Sequence, residues 1–352
     1  MIAEGFAIQG DVKSVAPYGE GHINETSLVI TTKGKYILQK ISQTAFPDVD
    51  MLMRNIDIVT KHLAKKGITS LSIVKTKKGE LYLRNESGAY RVYDFVENTV
   101  CKQSLSDYKQ VEMVGEAFGD LHTSLSDLDA SSLGEIIPCF HDTKKRFADF
   151  LSAYKEDKLG RLASCKQEAE AILAQKKYYG LIVDGIADGS IPLHVTHNDP
   201  KINNVLFDID SGKVRCIIDL DTVMPGSVLY DFGDAHRSLF IGSHEDDIDL
   251  NNVNIDLEIF RSYLRGYYRK AKSFLSTREK ELITLAPFLM TIECGMRFLE
   301  DYLKGDVYFH TKYKEHNLVR ARTQIKLAKL ILSKQEEMKA IAKEIFLESG
   351  GE

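Results

Sequence analysis

The sequence predicts a mixed α/β (α+β) protein of two lobes: a small N-terminal lobe with an antiparallel sheet plus one helix, and a larger, mainly helical C-terminal lobe. Three observations lead to this prediction. The chain has 352 residues, more than a single hydrophobic core usually supports. Roughly its first hundred residues carry strand patterns and turn signals, whereas helical periodicity dominates the remainder. We expect the boundary near Glu97, which gives lobes of residues 1–97 and 98–352.

The first predicted elements of the small lobe are a hairpin and a helix. Residues 26–32 and 35–41 flank a Lys33-Gly34 turn and are rich in β-branched and aromatic residues, which indicates a β-hairpin. Apolar residues then recur four, three and four positions apart within residues 48–66. That spacing is typical of one face of a helix.

Three further strands complete the predicted sheet. Residues 71–75 and 80–84 lie on either side of Lys78-Gly79, which indicates a second hairpin. A last strand is expected over residues 89–96. Five strands and one helix would make a plausible small lobe.

After Asn98 the pattern changes to helical. The predicted helices cover residues 106–124, 144–154, 167–180, 256–273, 278–303 and 322–347. A short β segment over residues 193–221 interrupts them. Its strands are expected at residues 205–207 and 214–218, joined by the Asp210-Ser211-Gly212 turn.

Composition points to an ordinary globular chain. A hydrophobic content of 43% and a net charge of −5 provide no basic field that would attract nucleic acid. The N-terminus lacks a basic region, and the longest apolar stretch, residues 283–292, is short and contains Pro287, so we expect neither a signal peptide nor a membrane span. The five scattered cysteines suggest reduced, mostly buried thiols and a cytoplasmic location. The oligomeric state is not fixed by the sequence, and a monomer is slightly favoured.

The segment His197-Asn198-Asp199-Pro200-Lys201-Ile202-Asn203-Asn204 carries the strongest chemical signal. Asn204 follows Asp199 by five residues, and the carboxylate of Asp219 in Ile217-Ile218-Asp219 lies fifteen residues beyond Asn204. A base for a hydroxyl, an amide oxygen and a second carboxylate are the parts that kinase-type phosphoryl transfer requires. His197 is expected to brace the loop. The alternative is that these residues only build a polar turn before a strand.

Asp219 weakens that alternative because an unpaired carboxylate at the end of a buried strand would be costly. A metal ion resolves the cost, although a salt bridge would resolve it too, and Asp221 competes for the ligand role. Further along, Asp231 lies in Tyr230-Asp231-Phe232-Gly233-Asp234, which we interpret as a glycine-containing turn. Asp231 could cap a helix, brace the loop of Asp199 or take part in chemistry.

A glycine loop, residues 17–24, precedes the first hairpin. Its Gly19 and Gly21 would let backbone amides approach phosphate oxygens, although an ordinary connecting loop explains them as well. Neither the G-x-x-x-x-G-K-[ST] nor the G-x-G-x-x-G fingerprint occurs, which argues against a P-loop or Rossmann nucleotide site.

Taken together, these residues resemble the aminoglycoside phosphotransferase and choline kinase superfamily, whose fold is similar to that of protein kinases. Within it the chain is similar to sugar 1-kinases that act on N-acetylhexosamines. The resemblance covers nearly the whole length. It is carried by residues 18–24 (YGEGHIN), 36–39 (YILQ), 195–206 (VTHNDPKINNVL), 217–226 (IIDLDTVMPG), 293–299 (ECGMRFL) and 315–326 (EHNLVRARTQIK).

The resemblance implies a two-lobed kinase-like enzyme that transfers the γ-phosphate of ATP to the anomeric hydroxyl of N-acetylglucosamine or N-acetylgalactosamine. Asp199 would be the base, and Asn204 and Asp219 would hold Mg²⁺. The adenine hinge would fall in residues 93–97. The implied contacts to the nucleotide are Gly19, Gly21, Gln39, Tyr93, Phe95 and Glu97.

One position departs from the superfamily pattern. Many of its kinases end the third strand with a lysine that holds the α- and β-phosphates, whereas this chain has Gln39 there, followed by Lys40. Successive side chains of a strand point to opposite faces, so Lys40 should face away from Gln39. The usual acidic partner from the small-lobe helix, for which Asp57 is the nearest candidate, is then also in doubt.

The acceptor is expected to bind the helical lobe. Arg297 is the first choice for hydrogen bonding to the sugar, followed by Asp301 and Tyr302, with His22 reaching in from the glycine loop. Arg297 and Asp301 are four apart on a predicted helix and could instead pair with each other. Two alternatives to the sugar kinase remain: a kinase for choline, ethanolamine, homoserine or another sugar, and an inactive nucleotide-binding module.

Overall fold

A computed structural model of the chain describes residues 1–19, 23–105, 107–240 and 245–348. The chain divides into two compact units. Unit 1 comprises Met1–Lys102, Ser124–Pro138 and Asn203–Pro225. Unit 2 comprises Gln103–Thr123, Cys139–Ile202 and Gly226–Glu352. The first break, after Lys102, lies close to the predicted boundary at residue 97, and two later stretches return to unit 1.

Unit 1 is built on an antiparallel sheet. Its strands are β1 (Val12–Pro17), β2 (Glu25–Thr31), β3 (Lys35–Ile41), β4 (Ile73–Val74), β5 (Leu83–Asn85) and β6 (Gly88–Asp94). Their order is β1-β2-β3-β6-β4, and β5 also pairs with β6. The predicted β2–β3 hairpin is confirmed. The predicted helix is confirmed as α1 (Val49–Lys65), whose first turn is capped by the carboxylate of Asp48 accepting from Met51 N at 2.9 Å.

The two faces of this sheet have different characters. Val29, Leu38 and Val92 lie in a buried apolar cluster. Gln39 follows Leu38 on β3, and Arg91 precedes Val92 on β6. Gln39 and Arg91 are directly opposite each other across the two strands. Because side chains alternate along a strand, Gln39 and Arg91 lie on the other face of the sheet.

One prediction for this sheet is wrong, and one strand was missed. β4 and β5 each pair with β6 and not with each other, so residues 71–75 and 80–84 do not form a ladder. The turn between them does form, with Gly79 in the left-handed region at φ +86°. The edge strand β1, which pairs with β2, was not predicted.

A smaller sheet of unit 1 contains a strand that begins directly after residues 197–204. Its strands are β7 (Thr99–Cys101), β9 (Val205–Asp208) and β10 (Val214–Ile217), in the order β10-β9-β7. The β9–β10 hairpin is confirmed, with Gly212 of its turn at φ +67°. β7 was not predicted, and two more short strands are β8 (His194–Thr196) and β11 (Met224–Gly226).

Helices dominate the chain beyond Lys102. They are α2 (Tyr108–Leu125), α3 (Thr143–Glu156), α4 (Lys166–Leu173), α5 (Leu181–Ala187), α6 (Val228–Phe240), α7 (Leu257–Ala271), α8 (Thr277–Leu282), α9 (Ala286–Lys304), α10 (His316–Ser333) and α11 (Gln335–Glu348). The helices predicted over residues 278–303 and 322–347 are each two helices. Pro287 lies in the first turn of α9, where its missing N–H costs nothing, so the helical pattern is interrupted just before it.

The five cysteines are free thiols, but the expectation that most are buried is wrong: Cys165 and Cys216 are buried, Cys101 and Cys139 are exposed, and Cys294 is intermediate. Within the described ranges, none of the helices is long and apolar enough to cross a membrane.

Candidate active site

The two residues expected to hold magnesium meet at the open end of the β9–β10 hairpin in unit 1. Val205 pairs with Ile217 across the hairpin, and Ile218 N donates to the carbonyl oxygen of Asn204 at 2.9 Å. Asp219 therefore comes directly after Ile218, whose backbone is hydrogen-bonded to that of Asn204. The fold thus brings the backbones of two residues that are fifteen positions apart in the sequence to the same end of the hairpin.

Asp219 has an unusual backbone conformation, with φ 61° and ψ 57° in the left-handed region. Non-glycine residues seldom adopt it, although Asp and Asn are the side chains that tolerate it best. Such strain is often found where a side chain must be aimed for function. Asp219 lies two residues beyond the end of β10 and is the N-cap of the short 3-10 turn Leu220–Thr222, which carries Asp221.

The donor set fits a magnesium ion. An amide and a carboxylate offer hard oxygen atoms, and Mg²⁺ commonly takes only one or two protein ligands, with phosphates and water completing its octahedron. In the described part of the chain, His, Cys, Asp and Glu do not gather in groups of three or more that could hold a metal without such help. Asn204 and Asp219 would therefore hold the ion together with the nucleotide.

Gln39, near the end of β3, belongs to a chain of polar contacts. Gln39 Nε2 donates to Thr26 Oγ1 at 3.0 Å, and Arg91 Nε donates to Gln39 Oε1 at 2.9 Å. Arg91 Nη1 lies 2.6 Å from Asp221 Oδ1 in a buried ion pair. Asp221 Oδ2 accepts from Asn24 Nδ2 at 2.6 Å. Gln39 is thus linked through Arg91 to the turn that follows Asp219.

Lys40 faces away from this network, as expected. Its ammonium group pairs with Glu25 at 3.3 Å, where the side chain of Lys40 is partly exposed and that of Glu25 is largely exposed. Asp57, the candidate acid on α1, pairs with Lys61 of the same helix at 2.6 Å. Asn55 is a fully buried polar residue of α1, and its side-chain amide donates to the carbonyl oxygen of Val223 at 3.0 Å.

The predicted adenine hinge lies at the end of β6. Tyr93 is buried against Arg91, whose guanidinium lies 5.2 Å from the centre of the Tyr93 ring. Phe95 packs edge-on against Tyr18 and Glu97 pairs with Lys35 at 3.0 Å. Only one of the two glycines of the glycine loop lies in the described part of the chain. Gly19 adopts φ +78°, whereas Gly21 and His22 lie outside the described residues.

In unit 2, the loop of Asp199 is held by a buried carboxylate on α6. Asp231 accepts hydrogen bonds from His197 N at 2.8 Å and from Asn198 N at 2.6 Å. His122 Nε2 lies 2.8 Å from the same carboxylate. Burial opposes the charged form, but hydrogen bonding from His122 and the loop holds the pKa of Asp231 below its usual value. These are the contacts expected of a loop brace.

The segment around Asp231 is not the turn that the sequence suggested. Residues 230–234 lie inside α6, and Gly233 allows α6 to approach α9 closely, because a Cβ at this position would lie 2.4 Å from the carbonyl oxygen of Ala286. The glycine therefore marks close helix packing and not a chain reversal.

A second buried pair supports the same loop. His141 Nδ1 lies 2.9 Å from Glu293 on α9, and His141 Nε2 lies 3.1 Å from the carbonyl oxygen of Asn198. Thr143 Oγ1 also donates to Glu293, at 2.8 Å. Asn198 has φ 64°, so the backbone is forced into the left-handed region immediately before Asp199. Asp199 itself pairs with Lys201 at 2.7 Å.

The His141–Glu293 pair predicts a specific pH dependence. Burial alone would lower the pKa of His141, but Glu293 outweighs it and raises the pKa above the usual value. The resulting stability should be fully present below the unfolded-state pKa of about 6.5 and be lost as the pH rises through the higher folded-state pKa. Between these two pKa values we expect the Tm of the unaltered protein to fall with rising pH by more than the Tm of His141→Gln. A difference of roughly 2–4 °C would correspond to a stability difference of about 1 kcal/mol.

Calorimetric scans of both proteins between about pH 5.5 and pH 9 would test this prediction, since all other titrating groups are shared. Parallel Tm curves for the two proteins would show that the charged pair does not stabilise the fold.

The first-choice acceptor residue, Arg297 of α9, is surrounded by aromatic rings of unit 2. Its guanidinium carbon lies 5.4 Å from the ring centre of Phe140, 6.0 Å from that of Tyr308 and 5.5 Å from that of Phe309. Phe140 precedes His141, so this cluster adjoins the support of the Asp199 loop. We call Arg297, Phe140, Tyr308 and Phe309 the arginine cluster.

Asp301 and Tyr302 have other partners. The carboxylate of Asp301 accepts from the backbone N–H groups of residues 307, 308 and 309 at 2.8–2.9 Å and from Asn317 Nδ2 at 2.9 Å. It is thus engaged in holding the loop that carries two rings of the arginine cluster, instead of pairing with Arg297. Tyr302 is buried, with its hydroxyl 2.9 Å from Ser164 Oγ and its ring beneath Arg161. Their contact with an acceptor stays a prediction.

Four residues that shape these sites were not found from the sequence. Arg91, His122 and His141 belong to none of the quoted motifs, and Glu293 opens the ECGMRFL motif without having been given a role; all four act on partners far along the chain. One signal was available for Arg91. It is a charged residue in the middle of an apolar strand, and such a residue is usually buried only with a partner.

The sheet of unit 1, the helices of unit 2 and the H-x-D-x-x-x-x-N and I-D segments together define a kinase-like phosphotransferase. The chain belongs to the phosphotransferase enzyme family abbreviated APH, which matches residues 14–271.

Solved structures share the fold at low sequence identity. An aminoglycoside phosphotransferase from Alicyclobacillus acidocaldarius is similar with a TM-score of 0.62 at 13% identity, covering 97% of this chain and 96% of that one. A choline kinase from Streptococcus pneumoniae has a TM-score of 0.53 at 17% identity, covering 91% and 94%. A spectinomycin phosphotransferase in complex with ADP and spectinomycin has a TM-score of 0.52 at 14% identity, covering 93% and 94%.

Among curated sequences, a kinase-like protein from Caenorhabditis elegans is 28% identical over 134 residues. The match covers 36% of this chain and 31% of that protein, so it spans about a third of either.

Proposed function

We propose that the protein transfers the γ-phosphate of ATP, with Mg²⁺, to the anomeric hydroxyl of an N-acetylhexosamine such as N-acetylglucosamine or N-acetylgalactosamine, forming the 1-phosphate. The observation that carries the phosphoryl-transfer part is the pairing of Asn204 with the Asp219 segment, beside a sequence that supplies Asp199 five residues earlier. Membership of the family supports it, as does ADP in a structurally similar phosphotransferase. The proposed location is cytoplasmic.

The proposed mechanism gives each residue a limited task. Asp199 orients the acceptor hydroxyl and finally accepts its proton, which suits a loose transition state in which little base strength is needed. The backbone around it is fixed by Asp231 and His141, so the carboxylate needs little reorganisation. Asn204 and Asp219 would hold Mg²⁺, which when bound would neutralise charge on the phosphates.

The arginine cluster supports a neutral sugar over choline. A quaternary ammonium is recognised by a cage of aromatic faces, and three such faces are present here. Their centre, however, already contains the permanent positive charge of Arg297. A second cation would be repelled, whereas a sugar can accept hydrogen bonds from a guanidinium and pack its ring against Tyr308, whose side chain is 70% exposed.

A screen of acceptors would test the proposal. The purified protein, ATP and Mg²⁺ would be offered N-acetylglucosamine, N-acetylgalactosamine, hexoses, homoserine, ethanolamine and choline, and ³¹P and ¹³C NMR would identify the phosphorylated carbon. We expect the N-acetylhexosamines to give the highest kcat/KM and a phosphate on the anomeric carbon. The Asp199→Asn variant, purified identically, controls for contaminating kinases.

Each other result has a defined meaning. Phosphate on a primary hydroxyl would contradict the anomeric assignment, and a preference for choline or ethanolamine would contradict the sugar. No acceptor-dependent ATP turnover, with nucleotide still bound, would favour the inactive module that Gln39 suggested.

A further inference from the structure

Arg91 is the most deeply buried charged side chain near the proposed magnesium ligands. It lies in the interior of β6, is 1% exposed, and contacts Gln39 and Asp221 within unit 1. Burial alone would lower its pKa, but Asp221, and more weakly Asp219, hold the pKa of Arg91 above its usual value. The guanidinium therefore stays charged, and a buried charge requires a defined partner.

Asp221 is fully committed to this network. One carboxylate oxygen lies 2.6 Å from Arg91 and the other accepts from Asn24 at 2.6 Å, while the residue is only 3% exposed. Asn24 is itself fixed, because its side-chain oxygen accepts from Ser42 N at 2.9 Å. Asp221 is thereby held away from the ligand role for which the sequence made it a competitor of Asp219.

The two lysines of β3 have other partners. Lys40 pairs with Glu25 and Lys35 pairs with Glu97, with the lysine side chains partly exposed. Among the described residues, Arg91 is the cation that contacts Gln39, the position at which the resemblance leads one to expect a lysine.

We propose that Arg91 is a positioning residue that replaces the expected lysine–carboxylate pair: it binds Asp221, fixes the turn Leu220–Thr222 and so leaves Asp219 as the carboxylate presented to the metal. The inference rests on the proposed function only for the metal–nucleotide site, not for the identity of the acceptor. The ion pair expected between a lysine of β3 and an acid of α1 would thus be replaced by a pair between Arg91 of β6 and Asp221 of the turn Leu220–Thr222.

Because the two charges act as one unit, their removal should be strongly non-additive. Arg91→Met leaves Asp221 buried without its cation, and Asp221→Asn leaves Arg91 without its anion. The double variant removes both charges, which a buried pair tolerates better than the loss of one partner. Arg91→Lys keeps the charge but loses the planar fork that reaches Gln39 and Asp221 together.

The experiment measures Mn²⁺ binding in the presence of ADP by electron paramagnetic resonance of the free ion, with Tm recorded for every protein. No acceptor is needed. We expect Arg91→Met, Arg91→Lys and Asp221→Asn each to weaken Mn²⁺ binding about 10- to 100-fold, as loss of a residue that orients a ligand does. The double variant should bind no more weakly than the weaker single variant. Lys40→Met, which removes a cation from the neighbouring position, should stay within about twofold, since exposed pairs contribute little.

Other outcomes would overturn the proposal. If Arg91→Lys and the double variant both bound Mn²⁺ as tightly as Lys40→Met does, the Arg91–Asp221 pair would not position Asp219. Losses that multiply in the double variant would mean that Arg91 acts independently of Asp221, for instance on the phosphates. If the unaltered protein bound no Mn²⁺ with ADP, the metal site itself would be wrong, whereas a failed acceptor screen with intact Mn²⁺ binding would affect only the proposed acceptor.

Discussion

Replacing Asp199 with Asn should lower kcat by about 10²- to 10⁴-fold, the range expected when a positioned general base is lost. An amide still fills the space of the carboxylate but cannot accept a proton from the acceptor hydroxyl. The loop should keep its shape because Asp231 and His141 bind its backbone and not the Asp199 side chain. ADP binding, followed by calorimetry, should therefore change little.

A matched control for this variant is Asp184→Asn. Asp184 is an exposed carboxylate of unit 2 that pairs with Lys144 at 2.8 Å, much as Asp199 pairs with Lys201. Loss of a surface ion pair alone should leave kcat nearly unchanged. If Asp199→Asn retained the kcat of the unaltered protein on its best acceptor, Asp199 would not be the base.

The elements that sequence patterns predicted well are those with a strong internal signal. The β2–β3 hairpin has a Lys-Gly turn between two β-branched runs, and α1 has a regular apolar face with Asp48 as its cap. β1 has neither signal. Most of its side chains are exposed and it ends at Pro17, which suits an edge strand and removes the alternation by which strands are recognised.

Element boundaries depended on tertiary packing. Residues 230–234 contain a glycine and acidic residues, as turns do, but lie in α6 because Gly233 lets that helix contact α9. The short β4 and β5 are defined by their common partner β6, and a local hairpin pattern cannot reveal a pairing with a third strand.

For the candidate site, the local sequence indicated the residues that we propose to carry the chemistry but not the residues that hold them in place. Asn204 and Asp219 follow from spacing and from strand ends. Arg91 contacts Asp221 across 130 positions, and His141 contacts Glu293 across 152, so neither pair has a local signature. Such contacts arise only when the units fold. The sequence therefore showed that Gln39 stands where a lysine was expected, but it could not show the Arg91–Asp221 pair that we propose as the substitute.

Replacing Asp219 with Asn should remove most of the dependence on magnesium and with it most of the activity. A bound metal supplies several kcal/mol of charge stabilisation in phosphoryl transfer, so kcat/KM for ATP should fall by about 10²- to 10³-fold. Asn tolerates the left-handed backbone at φ 61°, so the turn into residues 220–222 should persist and the Tm should change little.

Titration of Mg²⁺ at fixed ATP, together with Mn²⁺ binding in the presence of ADP, measures the effect directly. Asp210→Asn is the matched control, because Asp210 is an exposed carboxylate in the β9–β10 turn that accepts from Asn98 Nδ2 at 2.8 Å. We expect this control to bind Mn²⁺ as the unaltered protein does. Normal Mn²⁺ binding by Asp219→Asn would exclude Asp219 as a ligand, and since Arg91 occupies Asp221, the metal would then have to be held by residues other than these two carboxylates.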